Sequence, residues 1–219
     1  MFVARRMRKD PVTMLPSTSL FEAQARMREK KVRQIPVTSE DGRLVGILSD
    51  RDIRGTVLPI GLVPGFTAEE AERFLKGTPV EKVMTRKVVT ATLTDTLEDA
   101  IELLYSYKVN ALPVVDAQGK IAGIISRTDV LEAFIEVLGA GEISSRLEVV
   151  VPDKPGNLAR LISIISSFQV NITSVLTTGH AEQGKRASFL RIATLNVGPI
   201  RKAIEDAGFE ILDASRFVL

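Results

Sequence analysis

The 219-residue sequence contains no cysteine and no tryptophan, and it has a single histidine. Without cysteine there is no disulfide, no thiol nucleophile and no cysteine-ligated metal. With His180 alone, a Ser-His-Asp relay or a multi-histidine zinc site lacks its parts. His180 sits in the glycine- and polar-rich stretch 177–184 and reads as an exposed loop residue. Aromatic residues make up 5% of the chain, too few for a base-stacking platform. The formal net charge of +2 lacks the strong basic cluster of a nucleic-acid binder. No apolar run approaches the ~18 residues that span a membrane. The basic residues Arg5, Arg6, Arg8 and Lys9 are not followed by the apolar stretch of a secretory signal. The expected location is therefore the cytoplasm, with no nucleic-acid or membrane partner. Hydrophobic residues at 45% and charged residues at 26% fit a globular chain of one large or two small domains.

What is present is a repeat. At an offset of 77 residues and without a gap, Met7 aligns with Met84, Val12-Thr13 with Val89-Thr90, and Leu20 with Leu97. Pro36-Val37 meets Pro113-Val114, Gly46-Ile47 meets Gly123-Ile124, and Ser49 and Asp52 meet Ser126 and Asp129. Each copy predicts the order β-α-β-β-α. A short strand (11–14 or 88–92) precedes a helix. In the second copy Leu97, Ala100, Ile101 and Leu104 form one helical face. Ser19 with Glu22 and Thr96 with Asp99 have capping-box spacing. Two strands follow, at 35–38 and 44–48 or 112–115 and 121–125, joined by turns at Asp41-Gly42 and Gln118-Gly119. A second helix starts after Ser49 or Ser126. Neither copy can bury its sheet alone, so the two are expected to pack as a pair. The copies occupy residues 1–60 and 84–139. Between them, residues 61–83 form an insertion. Pro59, Gly61, Pro64 and Gly65 predict an irregular loop, and Thr67-Ala68-Glu69-Glu70 opens a short helix ending near Gly77. The insertion reads as a connection, with a lid as the alternative.

Gly139, Gly141 and Ser144-Ser145 mark a boundary. Residues 146–219 then predict β-α-β-β-α-β, the ferredoxin-like order. A strand at 147–151 is followed by a turn at 152–156. Leu158, Leu161, Ile162, Ile165 and Phe168 form a helical face. Strands at 170–178 and 185–194 come next. A helix through Ile200, Ala203, Ile204 and Ala207 stops at Gly208, and a last strand covers 209–218. The fold class is α+β.

The residues with the clearest chemistry are Gly46-Ile-Leu-Ser49-Asp-Arg-Asp52 and Gly123-Ile-Ile-Ser126-Arg-Thr-Asp129. A Ser-x-x-Asp pair is a helix N-cap in its own right. The same strand-to-helix geometry presents backbone N–H groups and a positive dipole end to a phosphate, with a carboxylate one turn on to accept from ribose hydroxyls. Duplication at fixed spacing from the two Pro-Val strands favours the ligand-binding reading over the cap alone.

Each copy resembles a CBS motif, and the two together resemble a Bateman module. The resemblance implies that Ser49 and Asp52 serve one nucleotide site, and Ser126 and Asp129 the other. It places Ile35, Pro36, Leu112 and Pro113 beside the bases, with Thr13 and Thr90 nearby. Asp50 next to Ser49 opposes an anion, whereas Arg127 next to Ser126 favours one, and Arg51 and Arg54 are placed to compensate in the first copy. Ser126 and Asp129 therefore read as the better phosphate site. Residues 146–219, with Asp153-Lys-Pro-Gly156-Asn157-Leu158 between strand and helix, resemble an ACT domain. That resemblance implies an effector site from Asp153, Gly156 and Asn157 with Asn171 and Ile172 of a neighbouring copy. Val151 stands where serine-sensing relatives carry histidine, so amino-acid binding and pure dimerisation both stay open. The order CBS-CBS-ACT is similar to accessory proteins of acetoin utilisation.

These resemblances imply a regulatory protein and not an enzyme. No cofactor is required; the expected regulatory ligand is an adenine nucleotide or S-adenosylmethionine. The expected partners are a second copy of the chain, an output protein and, at the ACT domain, an amino acid. The rival readings are a ligand-free oligomerisation scaffold and a stand-alone enzyme. No nucleophile-base pair, metal cluster or P-loop in the sequence supports the enzyme.

Overall fold

A computed structural model of the chain describes residues 1–61, 67–139, 141, 143–180 and 182–213. Its contacts divide the chain into two units, Met1–Leu131 and Glu132–Leu219.

The first unit holds the repeat. Its elements are β1 (Arg8–Lys9), α1 (Leu20–Glu29), β2 (Gln34–Thr38), β3 (Leu44–Ser49), α2 (Asp50–Gly61), α3 (Ala68–Gly77), β4 (Ala91–Thr92), α4 (Leu97–Ser106), β5 (Ala111–Val115), β6 (Ile121–Ser126) and the start of α5 (Arg127–Val137). Each hairpin closes by a three-residue loop, between Ser39 and Arg43 or Asp116 and Lys120, whose last residue, Gly42 or Gly119, has a φ of 83° or 76°, the left-handed region that glycine adopts without a steric cost.

Each copy's sheet is completed by the segment that precedes the other copy. β1 pairs antiparallel with β6, Arg8 opposite Ile124. Thr85, the repeat-mate of Arg8, bridges Ile47, the repeat-mate of Ile124, through two backbone hydrogen bonds of 2.9 Å. The two hairpin turns also meet, Arg43 opposite Lys120, with Leu44 N–H donating to the Gly119 carbonyl and Ile121 N–H to that of Gly42. The two copies are thus related by an internal two-fold and interlocked by exchange.

The glycine that opens each G-h-h-S run has a packing reason. A Cβ on Gly46 would lie 2.5 Å from the Met84 sulfur, and one on Gly123 would lie 2.5 Å from the Met7 sulfur. The exchanged methionine fills the space a side chain would need.

Burial alternates along β3, whereas β2 is buried on both faces, Ile35 and Val37 on one and Pro36 and Thr38 on the other. Ile35, Val37 and Leu48 are fully buried and join Leu20, Ala23, Met27 and Ile53 in one core. That core includes Leu75 and Val80, so the insertion is anchored to the first copy. Leu20 N–H donates to the Thr78 carbonyl and Val80 N–H to that of Thr18. α3 starts with the expected capping box of Thr67 and Glu70. One expectation is corrected: α2 runs through Pro59 to Gly61. A proline has a helical φ, and the lost N–H bond and the clash with the carbonyl four residues back weaken a last turn without having to end the helix before it. Pro64 and Gly65 lie outside the described residues.

The caps of the two copies differ. Thr96 and Asp99 form a complete capping box at α4. At α1, Ser19 accepts from Glu22 N–H, but the Glu22 carboxylate turns to Arg26 at 2.8 Å instead of returning to the Ser19 backbone.

The second unit contains β7 (Ser145–Pro152), α6 (Asn157–Ser166), β8 (Ile172–Gly179), β9 (Lys185–Ile192), α7 (Gly198–Asp206) and β10 (Glu210–Ile211). The sheet order is β10-β7-β9-β8, antiparallel throughout, which is the ferredoxin-like arrangement. Leu161 and Ile165 of α6 and Ile200 and Ile204 of α7 pack on Leu147, Val149, Leu190 and Ile192 of the sheet. Phe168 falls past the end of α6 and is partly exposed, so it leaves the helical face that the periodicity gave it. The expected last strand begins as β10, and residues 214–218 of it lie outside the described residues.

Candidate functional site

Both Ser-x-x-Asp pairs stand where a central strand enters a helix. In the first copy the N–H and Oγ of Ser49 donate to Asp52 Oδ2 at 2.8 and 2.6 Å, and Asp52 N–H donates to Ser49 Oγ at 3.2 Å. In the second copy the same three bonds join Ser126 and Asp129 at 2.8, 2.5 and 3.3 Å. Each pair is therefore a complete helix cap, and each leaves one carboxylate oxygen, Oδ1, for another partner.

The two remaining oxygens differ. Asp129 Oδ1 accepts from Arg8 Nε at 2.9 Å, and the Asp129 side chain is 6% exposed. Asp52 is half-buried, and among the described residues nothing donates to its Oδ1. The repeat puts Thr85, with no guanidinium, where the second site has Arg8. A second difference lies across the hairpin. Gln34 is the direct cross-strand partner of Ser49, so their side chains share a face of the sheet. The Gln34 Oε1 is buried without a hydrogen-bond donor. The corresponding partner of Ser126 is Ala111.

The other expected residues are placed as follows. Pro36 and Pro113 are buried and lie two residues along from Gln34 and Ala111, on the same faces as the serines. Ile35 and Leu112 are fully buried on the opposite face, Ile35 within the core of its copy. Thr13 and Thr90 are half-buried in the segments that enter each copy. Arg127 extends its Nη2 to the Leu104 carbonyl at 3.2 Å, near the end of α4. Arg54 pairs with Asp50 at 3.0 Å and offsets its charge beside the first site, whereas Arg51 is exposed. Arg8 and Gln34 were missed in the sequence, although each is a mismatch in an otherwise regular repeat.

In the second unit, Asp153 meets Arg186 at 3.5 Å beside a cavity of about 270 Å³ that Val151, Lys154, Leu158 and Thr177 help to line. Gly156 has φ 88°, and Asn157 follows it as the first residue of α6, its amide donating to the Lys154 carbonyl at 3.4 Å. Asn171 and Ile172 are elsewhere. Asp153 follows the end of β7 that pairs with Lys185, while Ile172 pairs with Ile192 at the end where β7 begins. Eight residues of strand, about 25 Å, separate the two ends. Within one chain the five residues therefore do not form one site. His180 is half-buried, and its Nδ1 accepts from Glu182 N–H at 3.0 Å.

A pair of interlocked β-α-β-β-α copies with Ser-x-x-Asp at each strand-helix junction defines the class. The CBS domain family model matches residues 3–58 and 80–136, and the chain belongs to that family. Residues 144–215 match the model of the TTHA0829-like ACT domain. An uncharacterized protein of Methanocaldococcus jannaschii, MJ1426, is 34% identical over 58% of this chain and 88% of its own. The inosine-5'-monophosphate dehydrogenase of Aquifex aeolicus is 35% identical over 56% of this chain, but only 22% of the enzyme is spanned.

Three solved structures are similar. The CBS pair of MJ0100, in complex with 5'-methylthioadenosine and S-adenosyl-L-methionine, has TM-score 0.51 and 25% identity over 61% of this chain and 99% of its own. CBSX2 in complex with AMP has TM-score 0.50 and 31% identity over 62% and 97%. A Vibrio cholerae protein assigned to acetoin utilization (AcuB) has TM-score 0.53 and 25% identity over 64% and 95%.

Proposed function

We propose that this chain is a regulatory sensor whose CBS pair binds an adenosine-containing ligand, an adenine nucleotide or S-adenosylmethionine, at Ser49/Asp52 and Ser126/Asp129. The observation that carries the reading is the pair of strand-to-helix junctions. Each places a serine hydroxyl, helix N–H groups and a carboxylate one turn apart, the set that suits a phosphate or polar 5' group and a ribose. The ligands bound by MJ0100 and CBSX2 support that chemistry. Pro36 and Pro113, on the serine faces, supply apolar surface for the base.

The chain works without catalysis of its own, in the cytoplasm, and acts on an output protein. Its ACT domain adds an amino-acid input or an assembly contact. A homodimer is the expected state, since Leu131, Phe134 and Ile135 expose apolar surface along one face of α5 and two-fold closure is the commonest. A role beside acetoin utilisation is the narrowest form of the reading, supported by the order of domains and the Vibrio cholerae likeness over 64% of the chain.

Titration calorimetry and thermal melting with AMP, ATP, S-adenosylmethionine and 5'-methylthioadenosine test the reading. A ligand at a hundredfold excess over its Kd stabilises the folded state by about 2.7 kcal/mol, so the melting temperature rises. No saturable heat and no shift at millimolar ligand would leave the Ser-Asp pairs as helix caps and the protein as a scaffold. Conversion of the ligand would make it an enzyme. A sedimentation mass of one 23.9 kDa chain across micromolar concentrations would exclude the dimer.

A further inference from the structure

The two sites are related by the repeat, yet two side chains break their equivalence. At the second, the Arg8 guanidinium occupies the carboxylate oxygen that the Ser126-Asp129 cap leaves over. At the first, that oxygen of Asp52 has no donor among the described residues, and the buried Gln34 Oε1 lies without a donor on the serine's face of the sheet.

A ribose binds such a carboxylate by donating its vicinal hydroxyls. At Asp52 it meets a ready acceptor. At Asp129 it must displace or share Arg8, whose charged hydrogen bond to a buried carboxylate exceeds a neutral hydroxyl's in strength. Arg8 is 58% exposed, so the guanidinium can swing into solvent when it is displaced. The Gln34 carbonyl adds a second acceptor at the first site. A buried acceptor without a donor is unfavourable until something supplies an O–H or N–H.

We propose that Arg8 and Gln34 set the specificity of the pair: the Ser49-Asp52 site takes the ribonucleoside first, and Arg8 holds the Ser126-Asp129 site as the weaker one. This rests on the adenosine-ligand reading. It inverts the ranking suggested by Arg127, whose guanidinium is engaged with the Leu104 carbonyl.

The test is calorimetry of the full chain with 5'-methylthioadenosine, which has no phosphate to attract Arg8. Asp52→Ala should remove the tighter phase and Asp129→Ala the weaker. Arg8→Thr gives the second site the residue found at the first, and it should tighten the weaker phase about two- to tenfold. Thr85→Arg should weaken the tighter phase by a similar factor. Gln34→Ala, which copies Ala111, should weaken the tighter phase two- to tenfold, on the same hydrogen-bond scale, without lowering the melting temperature of the ligand-free protein. An unsatisfied amide that is merely structural would leave the affinity unchanged. If the wild type gives no saturable heat with any adenosine ligand, the sensor reading falls and this assignment with it. If the wild type binds but the tighter phase follows Asp129, or Arg8→Thr leaves the weaker phase unchanged or loosens it, the assignment alone falls.

Discussion

The two CBS copies have the same strand register, the same turn glycines and the same methionine-on-glycine packing, yet they handle their charged residues differently. In the first copy, Asp50 is answered by Arg54, Glu22 by Arg26, and Asp52 keeps an open oxygen. In the second, Asp129 is answered from the other end of the unit by Arg8, and Asp99 closes a complete cap. Packing has been held constant across the duplication while polar contacts have changed. Apolar positions must fill a fixed space, whereas a charged partner is drawn from whichever neighbouring segment reaches it.

The sharpest test of the shared part is the core. Leu48→Ala and Ile125→Ala each remove a fully buried side chain and should each cost about 2–5 kcal/mol. Because the copies form one interlocked unit, each variant should shift a single unfolding transition in denaturant. Loss of only one copy's signal would break the equivalence.

Next in size is a difference. Asp129→Ala leaves Arg8 and the Ser126 donors unpaired and should cost about 1.5–3 kcal/mol, the range for hydrogen bonds to a charged group. Asp52→Ala loses cap bonds alone and should cost about 0.5–2 kcal/mol. Thermal melting of the two ligand-free variants decides, and the reverse order would remove the role given to Arg8.

A smaller difference is expected at the glycines. Gly46→Ala and Gly123→Ala should each cost about 1–3 kcal/mol through overpacking against methionine. Gly123 should be the worse site, since its added Cβ would also lie 2.9 Å from the Arg8 carbonyl, against 3.1 Å from that of Thr85 at Gly46.

The smallest effect is one of pH. The Thr96 hydroxyl, and then its backbone N–H, hold the Asp99 carboxyl below its ordinary value of 3.8. A carboxylate with a depressed value contributes stability above its unfolded pKa and loses it as the pH falls through the folded one. The α4 cap should therefore weaken only below about pH 4. Asp99→Asn should flatten the fall of melting temperature in that range, whereas Glu22→Gln, at a cap that lacks the return bond, should not act through its cap.

The sequence reveals what is local or periodic. The fixed 77-residue offset exposed the copies, the strand pairs and both turn glycines, and spacing alone located the α3 cap. Exchange was not legible, because nothing in Met7-Arg8-Lys9 tells which copy's sheet it will join. In the sequence Gly46 and Gly123 are only the first residues of the two Ser-x-x-Asp runs, while the reason for each lies in a methionine of the exchanged segment. The Arg8-Asp129 pair spans 121 residues, beyond the reach of any local pattern. In the ACT domain the order of elements was legible from periodicity. The separation of Asp153 from Ile172 is a matter of sheet register, which one-dimensional spacing does not carry.

The exchanged first strand also sets a timetable for synthesis. β1 leaves the ribosome early, but its partner β6 is made only after the whole first copy, the insertion and most of the second have been translated. Until then its edge stays unpaired, and the Gly123 surface that Met7 will cover does not exist. The first copy waits as well, since Thr85 must arrive before Ile47 gains its neighbour. At ~5–20 residues per second this is a wait of about 6 to 23 seconds. The arm that spends it exposed carries Arg5, Arg6, Arg8 and Lys9, a run of positive charge that discourages strand-to-strand association between nascent chains.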